Sequence, residues 1–210
     1  MGQSALLIID MQKDFALPGA PLFVDSAPEV LPNIVRARTA ARTTSMPVVH
    51  VIRNYRADGS DVEITRYEKF CACGGACVPG TKGAEILEEL APEKGEHLII
   101  KPRWSAFFHT DLDKLLASLD VDQVVLAGVQ TPNCIRATAW DANSLDYEVV
   151  VLTDATGAKT EAVHRANLLD MKNIGIKLMS TDEFCASAPD IPKEGYVARI
   201  RASVDARKGA

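Results

Sequence analysis

The chain has 210 residues, of which 47% are hydrophobic and 24% are charged, and its formal net charge is −5. This length and composition are typical of one globular domain with a full hydrophobic core. We expect that domain to span residues 1–210, with a C-terminal tail over 191–210. The acidic balance and the absence of a Lys/Arg cluster argue against a nucleic-acid binder.

The apolar segments are too short to cross a membrane. None approaches the ~20 residues needed to span a bilayer, and the N-terminus lacks the basic and apolar regions of a signal peptide. The five cysteines, an odd number, are more typical of a reducing compartment than of a disulfide framework. We therefore expect a cytoplasmic protein with no membrane contact.

Six short apolar segments alternate with helical patterns along the chain. Strands are predicted at 5–9, 48–52, 96–100, 123–127, 147–152 and 175–179. Helices are predicted at 26–44, 83–90, 111–119, 135–145, 160–172 and from 181, with Ser or Thr capping residues before most of them. Right-handed crossovers between such strands predict a Rossmann-like, three-layer α/β/α sandwich around a six-stranded parallel sheet.

Three chemically capable residues fall at or just beyond the carboxyl ends of predicted strands. They are Asp10, Lys101 and Cys134. Parallel strands present these ends at one edge, so the three side chains meet if the first, third and fourth strands are close. The ordinary alternatives are a turn-capping aspartate, a solvated lysine and a buried structural cysteine.

Cys134 is predicted to lie in the first turn of a helix. Thr131 can cap that helix, and Pro132 suits its first position. The helix dipole and Lys101 would then stabilise the thiolate, which is the nucleophilic form of cysteine. Asp10 could act as the base that ionises the thiol and as the acid for a leaving amine.

A cysteine–histidine pair is the more familiar arrangement. His50 and His97 fall in or next to strands, His164 lies inside a helix, and His109 is near the loop after Lys101 but belongs to no motif. None of the four therefore stands out as the base.

The long polar segment 53–79 contains three cysteines. Cys71, Cys73 and Cys77 lack the paired Cys-x-x-Cys spacing of known metal sites, so we expect no metal and no cofactor. Segments of this length often cover a functional site.

Candidate pocket residues surround the three strand ends. The aromatic ones suit either a substrate pocket or the core. Arg53 suits either bidentate contact with a substrate carboxylate or a surface salt bridge. The full set of substrate-binding candidates is Phe15, Arg53, Trp104, Phe107, Thr131 and Asn133.

Two other kinds of α/β protein fit the pattern less well. Receiver domains need a phosphorylatable aspartate after the third strand, where this chain has Lys101. A dinucleotide-binding module would need G-x-G-x-x-G after the first strand, and that motif is missing.

Three segments together resemble the isochorismatase-like cysteine hydrolases. They are the opening ALLIIDMQKDF (5–15), the lysine segment K-x-RWSAF (101–107) and the loop GVQTPNC (128–134), with Asp141-Ala142 and Asp154-Ala155 also matching. The resemblance covers residues 5–183. It implies that family's fold, a catalytic triad of Asp10, Lys101 and Cys134, and assembly as a homodimer or homotetramer.

The resemblance also implies details of the site and the reaction. It places a cis peptide bond between Val129 and Gln130, and an oxyanion hole formed by the backbone N–H groups of Gln130 and Cys134. A cysteine at position 134 favours hydrolysis of a small amide or carbamoyl compound through a thioester. Isochorismatase-type cleavage of a vinyl ether remains an alternative, because some true isochorismatases lack the cysteine.

Nicotinamidases of this family carry Asp-x-His-x-x-His after the second strand to bind a metal. Residues 50–58 here read HVIRNYRAD, so the motif is absent and neither a metal nor nicotinamide is expected. A nicotinamidase and a catalytically silent binding or scaffold member remain open as alternatives.

Overall fold

The computed structural model describes residues 2–195, 199–200 and 202–205. The strands are β1 (Gln3–Ile9), β2 (Val48–Arg53), β3 (His97–Lys101), β4 (Val121–Val129), β5 (Glu148–Gly157) and β6 (Lys177–Met179). The helices are α1 (Lys13–Ala16), α2 (Ala27–Thr43), α3 (Tyr67–Ala72), α4 (Leu112–Ser118), α5 (Arg136–Ser144), α6 (Glu161–Asn173) and α7 (Thr181–Ser187). Of the predicted tail, residues 196–198, 201 and 206–210 lie outside the described residues.

The six strands form one all-parallel sheet in the order β3-β2-β1-β4-β5-β6. The central strand β1 is buried on both faces, as its continuous apolar sequence predicts. Leu6 and Ile8 pack into the hydrophobic cluster that contains residues of α2 and α7, whereas Leu7 and Ile9 pack into the cluster that contains residues of α4, α5 and α6. The predicted α/β/α sandwich is therefore confirmed.

The predicted helix over 83–90 is wrong. This stretch forms two short 3-10 turns, Lys82–Ala84 and Glu88–Leu90. Its backbone pairs with the loop after β1, because the N–H of Lys13 donates to the carbonyl of Glu85 (2.9 Å) and the N–H of Leu87 donates to that of Met11 (3.0 Å). Tertiary hydrogen bonds thus take the place of helical ones.

The capping predictions had mixed outcomes. Thr160 caps α6 by accepting from the N–H of Val163. Ser26 does not cap α2, because its hydroxyl donates to the carbonyl of Ala158 (2.8 Å). Strand β5 also runs further than predicted, to Gly157 instead of Leu152. No helix among the described residues is both long enough and apolar enough to cross a membrane.

Candidate active site

The strand order brings the predicted triad to the centre of the carboxyl edge. Asp10 follows β1, and Cys134 lies five residues beyond β4, which pairs with β1. Lys101 ends β3, which β2 separates from β1. The long side chain of Lys101 therefore crosses the end of β2, where Arg53 is its register partner.

Lys101 joins the other two side chains of the triad. Its Nζ lies 2.8 Å from Asp10 Oδ2 and 3.4 Å from Cys134 Sγ. All three residues are at most 1% exposed. A buried ion pair is weak evidence for stability, because desolvating both charges offsets much of their attraction. Buried charges that meet a nucleophile are more typical of a functional site.

Cys134 lies in a π-helical turn, not in an α-helical first turn as predicted. The turn spans Thr131–Ile135 and α5 begins only at Arg136. The N–H of Ile135 donates to the carbonyl of Gln130 (3.2 Å), and the peptide bond between Val129 and Gln130 is cis. Turns of this type are frequent at functional sites.

The ionisation of Cys134 differs from the prediction of a stabilised thiolate. Burial raises the pKa of the thiol, and the negative charge of Asp10 acts in the same direction. Lys101, Arg53 and Arg66 lower this pKa, but they do not reverse the effect of burial. The thiol is therefore protonated at neutral pH in this closed site, and its reaction requires a base.

Arg53 is buried beside the nucleophile. Its Nη2 lies 3.7 Å from Cys134 Sγ, and its Nη1 donates to the hydroxyl of Tyr55 (3.0 Å) and pairs with the carboxylate of Glu63. A surface salt bridge is therefore not observed, because Arg53 is 0% exposed, and its contact with a substrate carboxylate stays a prediction. Arg53 instead pairs with Glu63, and its charge holds the pKa of that carboxyl down against the opposing effect of burial.

Tyr55, Glu63 and Arg66 belong to the segment 54–79 and were not predicted as site residues. The hydroxyl of Tyr55 hydrogen-bonds to Glu63 and accepts from Arg66 Nη1 (3.2 Å). The ring centroids of Phe15 and Trp104 each lie 6.0 Å from Arg66 Cζ. The expected covering segment thus contributes charged side chains to the site.

Three buried side-chain polar atoms in the described part of the chain lack a hydrogen-bond partner. They are Asp10 Oδ1, Arg53 Nε and Trp104 Nε1. Such groups are rare in folded proteins because leaving one unsatisfied costs about 1–3 kcal/mol. All three belong to residues of this site, where they can hydrogen-bond to a molecule that enters it.

The remaining predicted pocket residues divide into two groups. Phe15 and Trp104 flank Arg66, as described above, and Asn133 is half-buried in the turn that carries Cys134. Phe107 packs against the ring of Tyr147, with 5.8 Å between centroids. Thr131 does not cap a helix, because its hydroxyl hydrogen-bonds to His164 Nδ1 (2.8 Å). Phe107 and Thr131 are thus engaged elsewhere.

Gln12 and Asp14 position the backbone around the site, and no role was predicted for either. The side-chain NH₂ of Gln12 donates to the carbonyl of Arg53 (2.9 Å), and the side-chain oxygen of Gln12 accepts from the backbone N–H of Arg53 (2.7 Å). Asp14 Oδ2 accepts from the N–H of Cys77 (2.6 Å). Gln12 lies in the loop that follows β1 and Asp14 lies in α1, so the sequence signal for them was a polar residue close along the chain to a candidate catalytic aspartate.

The histidines have other partners. His50 pairs with Glu96 (2.9 Å), His164 with Thr131, and His109 lies against the ring of Phe108. Within the described residues, none of the hydrogen bonds of Cys134 involves a histidine. This geometry supports the aspartate–lysine arrangement.

A metal does not fit this site. Within the described ranges, no three His, Cys, Asp or Glu side chains are grouped closely enough to bind one. At the end of β2, beside Cys134, the chain places the cationic side chain of Arg53, which would repel a metal ion. Cys71, Cys73 and Cys77 are all free thiols, the first two exposed and the third buried.

The sequence and the fold match known proteins over most of the chain. A family model described as the Isochorismatase domain matches residues 4–183. A probable inactive nicotinamidase of Arabidopsis thaliana is 44% identical over 184 residues, which are 86% of this chain and 94% of that protein.

Two solved structures have the same fold. An isochorismatase family protein from Desulfovibrio vulgaris is 47% identical, with a TM-score of 0.83 over 87% of this chain and 96% of its own. The nicotinamidase/pyrazinamidase of Bacillus subtilis is 27% identical, with a TM-score of 0.77 over 85% of this chain and 100% of its own.

Proposed function

This chain belongs to the isochorismatase-like hydrolase family, and we propose that it is a cysteine hydrolase that cleaves the C–N bond of a small amide or carbamoyl compound. The observation that carries the proposal is the buried contact of Lys101 Nζ with both Asp10 and Cys134. A nucleophile, a candidate proton acceptor and a fixed positive charge are thereby held within one hydrogen-bonding network.

The first half of the reaction forms a thioester. Asp10 takes the thiol proton on Oδ1, which has no other partner, while Oδ2 remains paired with Lys101. Cys134 Sγ bonds to the carbonyl carbon, and the carbonyl electron pair moves to oxygen, where the N–H groups of Gln130 and Cys134 stabilise it. The intermediate then collapses, the C–N bond breaks, and the nitrogen leaves with the proton from Asp10 as ammonia or an amine.

The second half of the reaction hydrolyses the thioester. Asp10 takes a proton from water, and the hydroxide adds to the acyl carbon. The C–S bond breaks, the carboxylic acid leaves, and the sulfur regains its proton from Asp10. Because the thiol and its base begin and end the cycle in the same protonation states, no external acid or base is required.

The charge pattern around Cys134 suits this proton transfer. Burial favours the neutral thiol at rest, whereas Lys101 and Arg53 contact the sulfur and stabilise it once the proton moves to Asp10. Lys101 also holds Asp10 in place by donating to Oδ2 and to the backbone carbonyl of Arg103.

Entry of a substrate requires movement of the covering segment. Cys134, Arg53 and Lys101 are at most 1% exposed, and Tyr55 and Glu63 from residues 54–79 pack onto Arg53. We propose that this segment opens to admit the substrate and closes to exclude water from the thioester until deacylation.

The proposal excludes nicotinamide as the preferred substrate. The related Arabidopsis protein is named as a probable inactive nicotinamidase. In this chain, the place at the end of β2 holds Arg53 instead of metal ligands. A member that does not cleave nicotinamide can still hydrolyse another amide, since the nucleophile and its two partners are retained.

Ammonia release from a panel of small amides and carbamoyl compounds tests the proposal. We expect release by the wild type, a loss of at least about 10³-fold in Cys134→Ala and Asp10→Asn, and little change in Cys185→Ala, which removes a cysteine outside the site. Equal release by wild type and Cys134→Ala would contradict the nucleophile. A panel with no released ammonia would favour a binding or scaffold role instead.

A further inference from the structure

The two arginines near Cys134 differ in their partners. Arg53 is paired with the carboxylate of Glu63 and also donates to Tyr55. The Arg66 side chain makes no ion pair with any carboxylate in the described part of the chain, and its one hydrogen bond goes to the neutral hydroxyl of Tyr55 (3.2 Å). One guanidinium is therefore neutralised, whereas the other is available to an anion.

Of the three cations that act on Cys134, two are paired with carboxylates. Lys101 pairs with Asp10 and Arg53 pairs with Glu63, whereas Arg66 has no carboxylate partner among the described residues. A ligand with one negative charge could pair with Arg66, and a poorly solvated cation gains more from such a partner than an exposed one does.

Arg66 lies beside two aromatic rings, one of which carries an unpartnered N–H donor. The rings of Phe15 and Trp104 each lie 6.0 Å from the guanidinium carbon. Trp104 Nε1 is a buried donor without a partner. A guanidinium offers two parallel N–H groups to a carboxylate, and an indole N–H can supply a further bond to the same group.

We infer, on the basis of the proposed function, that the substrate carries a carboxylate that binds Arg66 beside the rings of Phe15 and Trp104. Arg66 precedes α3 in the covering segment, so this carboxylate would also draw that segment over the reacting amide. The binding energy of a remote group would thus help to assemble the closed site. The substrate class is a short amide or carbamoyl compound with one free carboxylate.

Alkylation of Cys134 by two probes of similar size tests this inference without any turnover. Iodoacetate is an anion and iodoacetamide is neutral, so their rate ratio reports the charge that a small molecule meets near the sulfur. Exposed Cys73 of the same chain serves as the internal reference. We expect the ratio of iodoacetate to iodoacetamide rates to be at least about tenfold higher at Cys134 than at Cys73, as measured by peptide mass mapping.

Three variants locate the charge. Arg66→Gln should bring the ratio of iodoacetate to iodoacetamide rates at Cys134 to within about threefold of that at Cys73. Arg66→Lys should retain part of the preference. Arg56→Gln removes the same charge from an exposed position of the same segment and should leave the ratio of iodoacetate to iodoacetamide rates at Cys134 unchanged.

Two results would overturn the inference: a wild-type ratio at Cys134 no higher than at Cys73, or a ratio that Arg66→Gln leaves unchanged. The proposed function is tested separately, by ammonia release. If no amide releases ammonia but the Arg66-dependent preference for iodoacetate is present, the anion-binding site is supported and the hydrolase activity is not.

Discussion

The ion pair of Lys101 and Asp10 allows the energetic cost of the site to be measured. Lys101→Met removes the partner of Asp10 Oδ2 and leaves a carboxylate that is 0% exposed. Breaking a buried pair typically costs about 3–5 kcal/mol. We therefore expect a loss of about 3–5 kcal/mol in the free energy of unfolding.

The removal of both charges should restore most of that stability. In Asp10→Asn/Lys101→Met no unpaired charge remains, so the double variant should lie within about 1 kcal/mol of the wild type. The matched control is Lys114→Met. Its pair with Asp111 has the same 2.8 Å separation, but both side chains are more than three-quarters exposed, so the loss should stay below about 1 kcal/mol.

Urea unfolding of the four proteins at pH 7 provides the measurement. A loss below about 1 kcal/mol at pH 7, or a double variant no more stable than Lys101→Met, would refute the assignment of a buried, charged pair.

Two further predictions concern the strands β4 and β2, which lead to the site. In Gly128→Ala the new Cβ would lie 2.1 Å from the backbone oxygen of Ile9, at a residue with a φ of +111°, so we expect a melting temperature at least about 10 °C lower than that of the wild type. The control is Gly95→Ala, whose Cβ meets no neighbour and which should lower the melting temperature by about 2–4 °C. Equal shifts in the two variants would contradict this prediction. Burial lowers the pKa of His50 despite its contact with Glu96, so the unfolded chain takes up this proton first and stability should fall as the pH drops below about 6.5. In urea titrations, the free energy of unfolding of His50→Gln should fall less between pH 6.5 and 5 than that of the wild type. An equal fall in both proteins would contradict the link between His50 and stability.

The central strands were predictable because they are buried on both faces. Segment 5–9 is a continuous apolar run and segment 48–52 is apolar except for His50, and the burial of β1 and β2 follows directly from them. The helix predicted over 83–90 failed for the opposite reason. Its backbone groups bond to the loop after β1, and no local pattern encodes hydrogen bonds to a segment about 70 residues away.

The triad could be proposed from strand ends, whereas its environment could not. The strand order places β2 between β1 and β3, which brings Arg53 to the sulfur, and sequence gives the strands but not their order. Glu63 and Arg66 come from a long segment without periodicity. The raised pKa of Cys134 depends on how completely that segment covers it, which is a tertiary property.

The most direct test of the account is to trap the acyl-enzyme. Wild-type protein is mixed with the amide that releases ammonia fastest, quenched in acid and mapped by peptide mass. We predict a mass increase equal to the acyl group on the peptide that contains Cys134, removable by hydroxylamine and absent in Cys134→Ala. Ammonia release without an acyl group on Cys134 would contradict the central claim.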